Sequence, residues 1–225
     1  MDLGRRLIDE LAIAPPACIA LVGAGGKTTL MRALYAEGRR RGWSVLAGTT
    51  TKVGRAQVAD IEGFVHAGAE GDKLTGVAPG SPALLGADLV VVEADGARSM
   101  VVKAPAAYEP VLPDGVTHVV AVIGADALDR VIEDVAHRPM LVAAVCGCGP
   151  YARLTVDRAA VLLASERGGR KAVPAGAAFA VAITRVGPAQ LQLAQRLAAA
   201  LAEAGVPTLV LPLVLPLVQR PPTTM

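Results

Sequence analysis

The stretch that most constrains this chain is Cys18-Ile19-Ala20-Leu21-Val22-Gly23-Ala24-Gly25-Gly26-Lys27-Thr28-Thr29-Leu30, an apolar run that enters a glycine-rich turn and then a helical pattern. Ile19 to Val22 predicts a buried strand, Gly23 to Gly26 a tight loop, and Lys27 to about Arg40 a helix. Such a junction is an anion cradle. Consecutive glycines let the backbone approach a polyphosphate, and the first amides of the helix have no partner inside it. In this reading Gly23, Ala24, Gly25, Gly26, Lys27, Thr28 and Thr29 hold a nucleotide. Lys27 reaches the outer phosphates and the Thr28 hydroxyl ligates Mg²⁺.

The loop is shorter than the usual G-x-x-x-x-G-K-[ST], whose first glycine falls where Leu21 stands. What stands here is G-x-x-G-K-T-T from Gly23 to Thr29, a form that resembles the loop of the Mur-type amino acid ligases. The rest of the chain suits the same architecture. Its 225 residues are 53% hydrophobic but only 3% aromatic, so the core has to be built from Val, Leu, Ile and Ala. That favours a mostly parallel sheet with helices on both faces, a phosphate-loop NTPase-like α/β fold, over a sandwich or barrel. A single domain over residues 1–225 is expected, with an irregular insert or lid at 54–86 and a flexible tail at 216–225.

Composition also excludes. A formal charge of +2 with interspersed signs argues against a nucleic-acid surface, and few aromatics are present to stack bases. Three cysteines make no disulfide framework, and Cys146-Gly147-Cys148 lacks the second ligand pair of a structural zinc site. Asp2 and Arg5-Arg6 followed by a short apolar run read as neither signal nor transit peptide. The apolar stretch Val206–Val218 is interrupted by Pro207, Pro212 and Pro216. A cytoplasmic location without a membrane span is therefore expected.

Beyond the loop, residues 3–13 predict an amphipathic helix carrying Leu3, Leu7, Ile8 and Leu11 on one side. Trp43–Ala47 predicts the second strand, and Thr49-Thr50-Thr51-Lys52 follows at its C-terminal end, where open α/β sheets place ligands. Thr50, Thr51 and Lys52 suit a phosphate, Mg²⁺ or a water network there, and a plain threonine-rich turn is the alternative. Phe64-Val65-His66 suggests a short edge strand, and Gly68–Gly86 a loop with one helical turn at most.

The second informative stretch is Ala87-Asp88-Leu89-Val90-Val91-Val92-Glu93-Ala94-Asp95-Gly96. An apolar strand ending in carboxylates is how phosphate-loop enzymes present the acid that holds Mg²⁺ or its water. Glu93 and Asp95 are candidates for both roles, with Glu93 favoured for the metal because it directly follows the apolar run. Arg98 and Lys103 are placed to reach transferred phosphoryl oxygens, or else to pair with those acids. Further on, Thr117–Ile123 predicts a strand, Asp126 a helix cap, and His137-Arg138-Pro139 a break. Thr155 caps a helix through Glu166, Ala177–Thr184 is a strand, Ala189–Ala204 a helix, and Val206–Leu211 a last strand.

Together these residues resemble the YqeC family. The resemblance runs from about Leu21 to Val186 and is carried by Val22 to Leu30, Thr49 to Lys52, Glu93 to Arg98, Lys103-Ala104-Pro105, Glu109-Pro110 and His137-Arg138. It implies a nucleotide-binding accessory protein that assists maturation of molybdenum hydroxylases, selenium-dependent ones included. The implied partners are a molybdenum hydroxylase or its cofactor-loading machinery. Tyr108 stands where members commonly carry histidine before Glu-Pro. Members often show an Asn-Lys-x-Asp-like guanine reader after the late strand, whereas this chain has Thr184-Arg185-Val186-Gly187. With no carboxylate there to accept from guanine, weak discrimination between ATP and GTP is expected, Thr184 meeting either purine.

Three functions compete at this point. One is Mg²⁺-dependent hydrolysis of ATP or GTP that times a maturation step. Another is transfer of a phosphoryl or nucleotidyl group to a small acceptor or pterin cofactor, and the third is a nucleotide-gated binding module without turnover.

Overall fold

The computed structural model describes residues 2–212, so the tail expected at 216–225 lies outside the described residues. Six strands form the central sheet: β1 (Ala17–Gly23), β2 (Val45–Thr49), β6 (Leu89–Glu93), β8 (His118–Gly124), β10 (Ala178–Val186) and β11 (Thr208–Pro212). Their spatial order is β11-β10-β8-β1-β6-β2, and every neighbouring pair is parallel. The near-continuous apolar runs read from the sequence are what such a sheet demands, because both faces are covered.

Side-chain alternation divides the core. Ile19, Leu21, Val91, Val120 and Val122 face one layer, where α1 (Leu3–Glu10) and α2 (Lys27–Arg40) supply Leu7, Ile8, Leu30, Met31 and Leu34. Ala20, Val22, Ala121, Ile123 and Val181 face the other, where α5 (Val156–Ala164) and α6 (Leu191–Glu203) supply Ala159, Leu162, Leu197 and Leu201. The helix pair α1–α2 is closely apposed, since a Cβ at Gly4 would collide with the Ala33 carbonyl. Helix α1 is shorter than the expected 3–13. Asp2 caps its start by accepting from the Gly4 amide at 2.8 Å, and Ala12 turns the chain out at φ 52°.

The 54–86 segment is more ordered than its composition suggests. β3 (Val53–Gly54), β4 (Gly68–Glu70) and β5 (Lys73–Thr75) make a small antiparallel sheet in the order β3-β5-β4. Val77 and Leu84 then pack on Val90 and Val92, so this segment covers the face of β6 that the helices leave open. Of Phe64-Val65-His66, Val65 alone joins the edge of β2, bridging Gly48. These strands are only two or three residues long, so they carry no readable alternation, and they send just Val53 and Leu74 into the core layer of α1 and α2.

Two more corrections concern the middle of the chain. Asp126 does not cap a helix. It lies in a single 3₁₀ turn (Ala125–Ala127) and accepts from Arg185 at 2.8 Å. The helical region that follows is split into α3 (Ile132–Val135) and α4 (Pro139–Cys146) by β9 (Ala136–His137), which pairs with β7 (Val102–Lys103). Arg138 in the left-handed region and Pro139 at the first position of α4 make the expected break. Thr155 caps α5, which ends at Ala164 rather than Glu166. No helix among the described residues is long and apolar enough to cross a membrane.

Candidate functional site

β1 lies inside the sheet with β6 and β2 on one side and β8 on the other, so the chain reverses its winding about β1. The C-terminal end of a strand at such a reversal is where open α/β sheets leave a crevice for ligands. The glycine loop sits there, and its shape is imposed by groups on or just beyond three other strands of the sheet. The Gly23 amide donates to Asp95 Oδ2 at 2.9 Å, just beyond β6, and the Ala24 amide donates to the Val122 carbonyl of β8 at 2.9 Å. The Thr184 hydroxyl of β10 donates to the Gly25 carbonyl at 2.6 Å, with the Ile123 carbonyl also near at 3.0 Å. Gly25 has φ 93°, and a Cβ on it would stand 2.5 Å from the Gly124 amide nitrogen. Only glycine fits there.

Helix α2 opens at Gly26 without a side-chain cap, and its first internal bond runs from the Leu30 amide to the Gly26 carbonyl at 3.0 Å. The amides of Lys27, Thr28 and Thr29 precede that bond and point out of the helix end, where the positive end of the dipole also lies. An anionic group is what such an end accommodates.

Around it the charged side chains are buried and engaged with one another. Lys27 Nζ turns back into its own loop, 2.6 Å from the Gly23 carbonyl and 3.0 Å from Asp95 Oδ1. Asp95 is 2% exposed, and its Oδ2 also faces Lys103 Nζ at 3.1 Å. Lys103 in turn donates to the Gly96 carbonyl at 2.7 Å and to Glu109 Oε2 at 2.8 Å. Glu109 accepts further from the Ala106 amide at 3.1 Å and from Arg138 Nη1 at 2.5 Å. Burial opposes the Glu109 charge, but these donors, with Lys103 foremost, hold its carboxyl down at about 2. Arg138 also bonds the hydroxyl of the exposed Tyr108 at 3.0 Å.

Glu93 closes β6 and accepts from the Thr28 hydroxyl at 2.5 Å. Burial raises its carboxyl above the ordinary range, against the pull of Lys27 and Thr28. No cluster of three or more His, Cys, Asp or Glu side chains among the described residues could hold a metal. Mg²⁺ at a phosphate site needs few protein ligands, because phosphates and waters fill most of its shell. The hydroxyl–carboxylate pair of Thr28 and Glu93 at the loop mouth fits that requirement.

Thus Gly23 to Thr29, Glu93 and Asp95 are brought together, and the remaining candidates are placed differently. The Thr50 hydroxyl donates to the Val111 carbonyl at 2.5 Å, and the Thr51 carbonyl and amide bond the Thr49 hydroxyl, so this turn is knitted to itself and its neighbours. Lys52 pairs with Glu70 of β4 at 2.5 Å on an exposed surface. Arg98 is exposed, at φ 47°. The Lys103 side chain has no exposed surface and reaches acids rather than the loop mouth. Thr184 is buried against the loop and Arg185 is paired with Asp126, so the segment expected to meet a purine is already bonded. Sequence reasoning did not foresee the ion pairs of Glu109 and Arg138, nor that the Thr184 hydroxyl braces the loop instead of facing a purine. The one available signal was an acid and a cation standing beside prolines in otherwise apolar surroundings. Cys18, Cys146 and Cys148 are free thiols, and burial pushes Cys18 and Cys146 up to about 11, unreactive at neutral pH.

The pinned glycine loop at the winding reversal, opening onto an uncapped helix end, places this chain among nucleotide-binding proteins of the phosphate-loop-like α/β fold class. Comparison with known proteins narrows the class. The family described as YqeC protein matches residues 19–74 and 63–140. "Uncharacterized protein YqeC" of Escherichia coli (strain K12) is 30% identical over 87% of this chain and 86% of its own length. The chain belongs to the YqeC family. No solved structure matches it.

Proposed function

We propose that the protein binds a Mg²⁺–nucleoside triphosphate, ATP or GTP, and hydrolyses it to time the maturation or cofactor loading of a molybdenum hydroxylase. The observation that carries the nucleotide reading is the loop at the end of β1, whose carbonyls and strand-side amides are tied inward while the amides of Lys27, Thr28 and Thr29 face outward. Those amides take the inner phosphate oxygens. Lys27, released from its loop, neutralises the outer ones. Thr28 and Glu93, bonded to each other at 2.5 Å, would hold Mg²⁺, which would supply charge neutralisation at the phosphates, and Glu93 would also orient a water. The link to molybdenum hydroxylases rests on the family resemblance alone.

A nucleotide-gated binding module without turnover is the second reading. It is favoured by Asp95, which is engaged with two lysines and leaves Glu93 as the acid beside Thr28. Phosphate release from MgATP and MgGTP, measured with and without a molybdopterin-type acceptor, separates these readings. Release without acceptor supports hydrolysis, acceptor-dependent product supports transfer, and tight binding without either supports gating. Lys27→Ala is expected to weaken binding of both nucleotides more than tenfold, while α2 survives because alanine is a good helix former. Parental affinity in that variant would remove the phosphate-loop assignment.

A further inference from the structure

We propose that Lys103 is a positioning residue for the loop: it keeps Asp95 compensated while Lys27 moves to the outer phosphates of a bound nucleotide. The inference deepens the phosphate-site reading and rests on it. Lys27 is only 5% exposed and Asp95 2%, so Lys27 reaches a ligand only by leaving a buried carboxylate. A buried charge deprived of its partner is strongly disfavoured. Asp95 avoids that state because its two oxygens are served separately, Oδ1 by Lys27 and Oδ2 by Lys103 and the Gly23 amide.

The wider arrangement supports the exchange. Lys27, Asp95, Lys103, Glu109 and Arg138 alternate in sign, each within 3.1 Å of the next. Their formal charges sum to +1. When Lys27 leaves, the four groups that remain sum to zero, and each still has an opposite neighbour. Lys103 is free to lean toward Asp95 because Glu109 keeps Arg138 and the Ala106 amide. Without Lys103, departure of Lys27 would strand Asp95 and leave one net negative charge in the interior.

Titration calorimetry of the full chain with MgATP and with Mg²⁺–tripolyphosphate, alongside thermal melts, tests this role. Lys103→Met is expected to weaken both ligands at least tenfold. Adding Asp95→Asn to Lys103→Met removes the stranded charge and is expected to bring affinity back to within threefold of the parent. A merely structural Lys103 would leave the double variant as weak as the single one, and that result, or a Lys103→Met variant within threefold of the parent, overturns the proposal. Should Lys103→Met fail to fold, Glu109→Gln decides. It removes the acid that competes with Asp95 for Lys103, so tighter binding supports the role, and parental or weaker binding overturns it. A parent chain that binds neither probe overturns the phosphate-site reading and this role together, whereas a binding parent with an indifferent Lys103→Met overturns this role alone.

Discussion

At the scale of single residues, burial pushes the carboxyls of both Glu93 and Glu109 up, but only at Glu109 do the partners outweigh it. Glu109 receives donors from Lys103, Ala106 and Arg138 and is held at about 2, below its ordinary 4.5. A carboxylate depressed on folding stabilises the native state fully above its unfolded value, and the gain is lost as pH falls toward the folded one. Glu109→Gln should therefore cost stability at pH 7, and the gap to the parent should narrow between pH 5 and 3 in urea melts. An unchanging gap would mean that the ion pairs do not set the charge state. Glu93 is raised instead, so its charged form is held at a cost that grows as pH rises through its range. The Thr28 hydroxyl can bond a glutamine in its place. Glu93→Gln is thus expected to change nucleotide affinity by less than about tenfold, roughly 1.4 kcal/mol, while phosphate release falls further. Unaltered release under saturating Mg²⁺ would make the acid structural.

Among elements, the loop between β1 and α2 is the one whose sequence is dictated from outside. Gly25 faces the Gly124 backbone at φ 93°, whereas Gly42, at φ 78°, has open space where a Cβ would go. Both alanine variants pay backbone strain of about 1–3 kcal/mol, but Gly25→Ala must also push the loop off β8. Its denaturation midpoint should fall below that of Gly42→Ala. Equal midpoints would show that the loop is not wedged. Elements of this kind were legible because an apolar run ending in glycine or acid states both strand and terminus, as at Val22-Gly23, Val92-Glu93 and Ile123-Gly124. The small sheet β3-β5-β4 was not, since its strands are two or three residues long and send only Val53 and Leu74 into the core. In the turn Thr49–Lys52 the sequence hides partners of a related kind. Hydroxyls at a strand end suit a phosphate, but here carbonyls from Glu93 and Val111 arrive to take them. Asp126 was read as a cap because Arg185, its partner, is 59 residues away.

For the whole molecule, the parallel sheet serves as a frame that brings distant strand ends to one edge. α1 and α2 close one face, α5 and α6 close much of the other, and the 54–86 segment completes that second face over β6. The loop's three braces then come from Asp95, Val122 and Thr184, in that order along the chain. The last is 159 residues from the glycine it holds. A ribosome therefore releases the glycine motif long before it releases the hydroxyl that finishes the motif's shape. A nascent or prematurely terminated chain that stops short of β10 would carry every residue of Gly23 to Thr29 and still lack the brace from Thr184. The loop thus takes its finished shape only once β10 has been made, long after its own residues have left the ribosome.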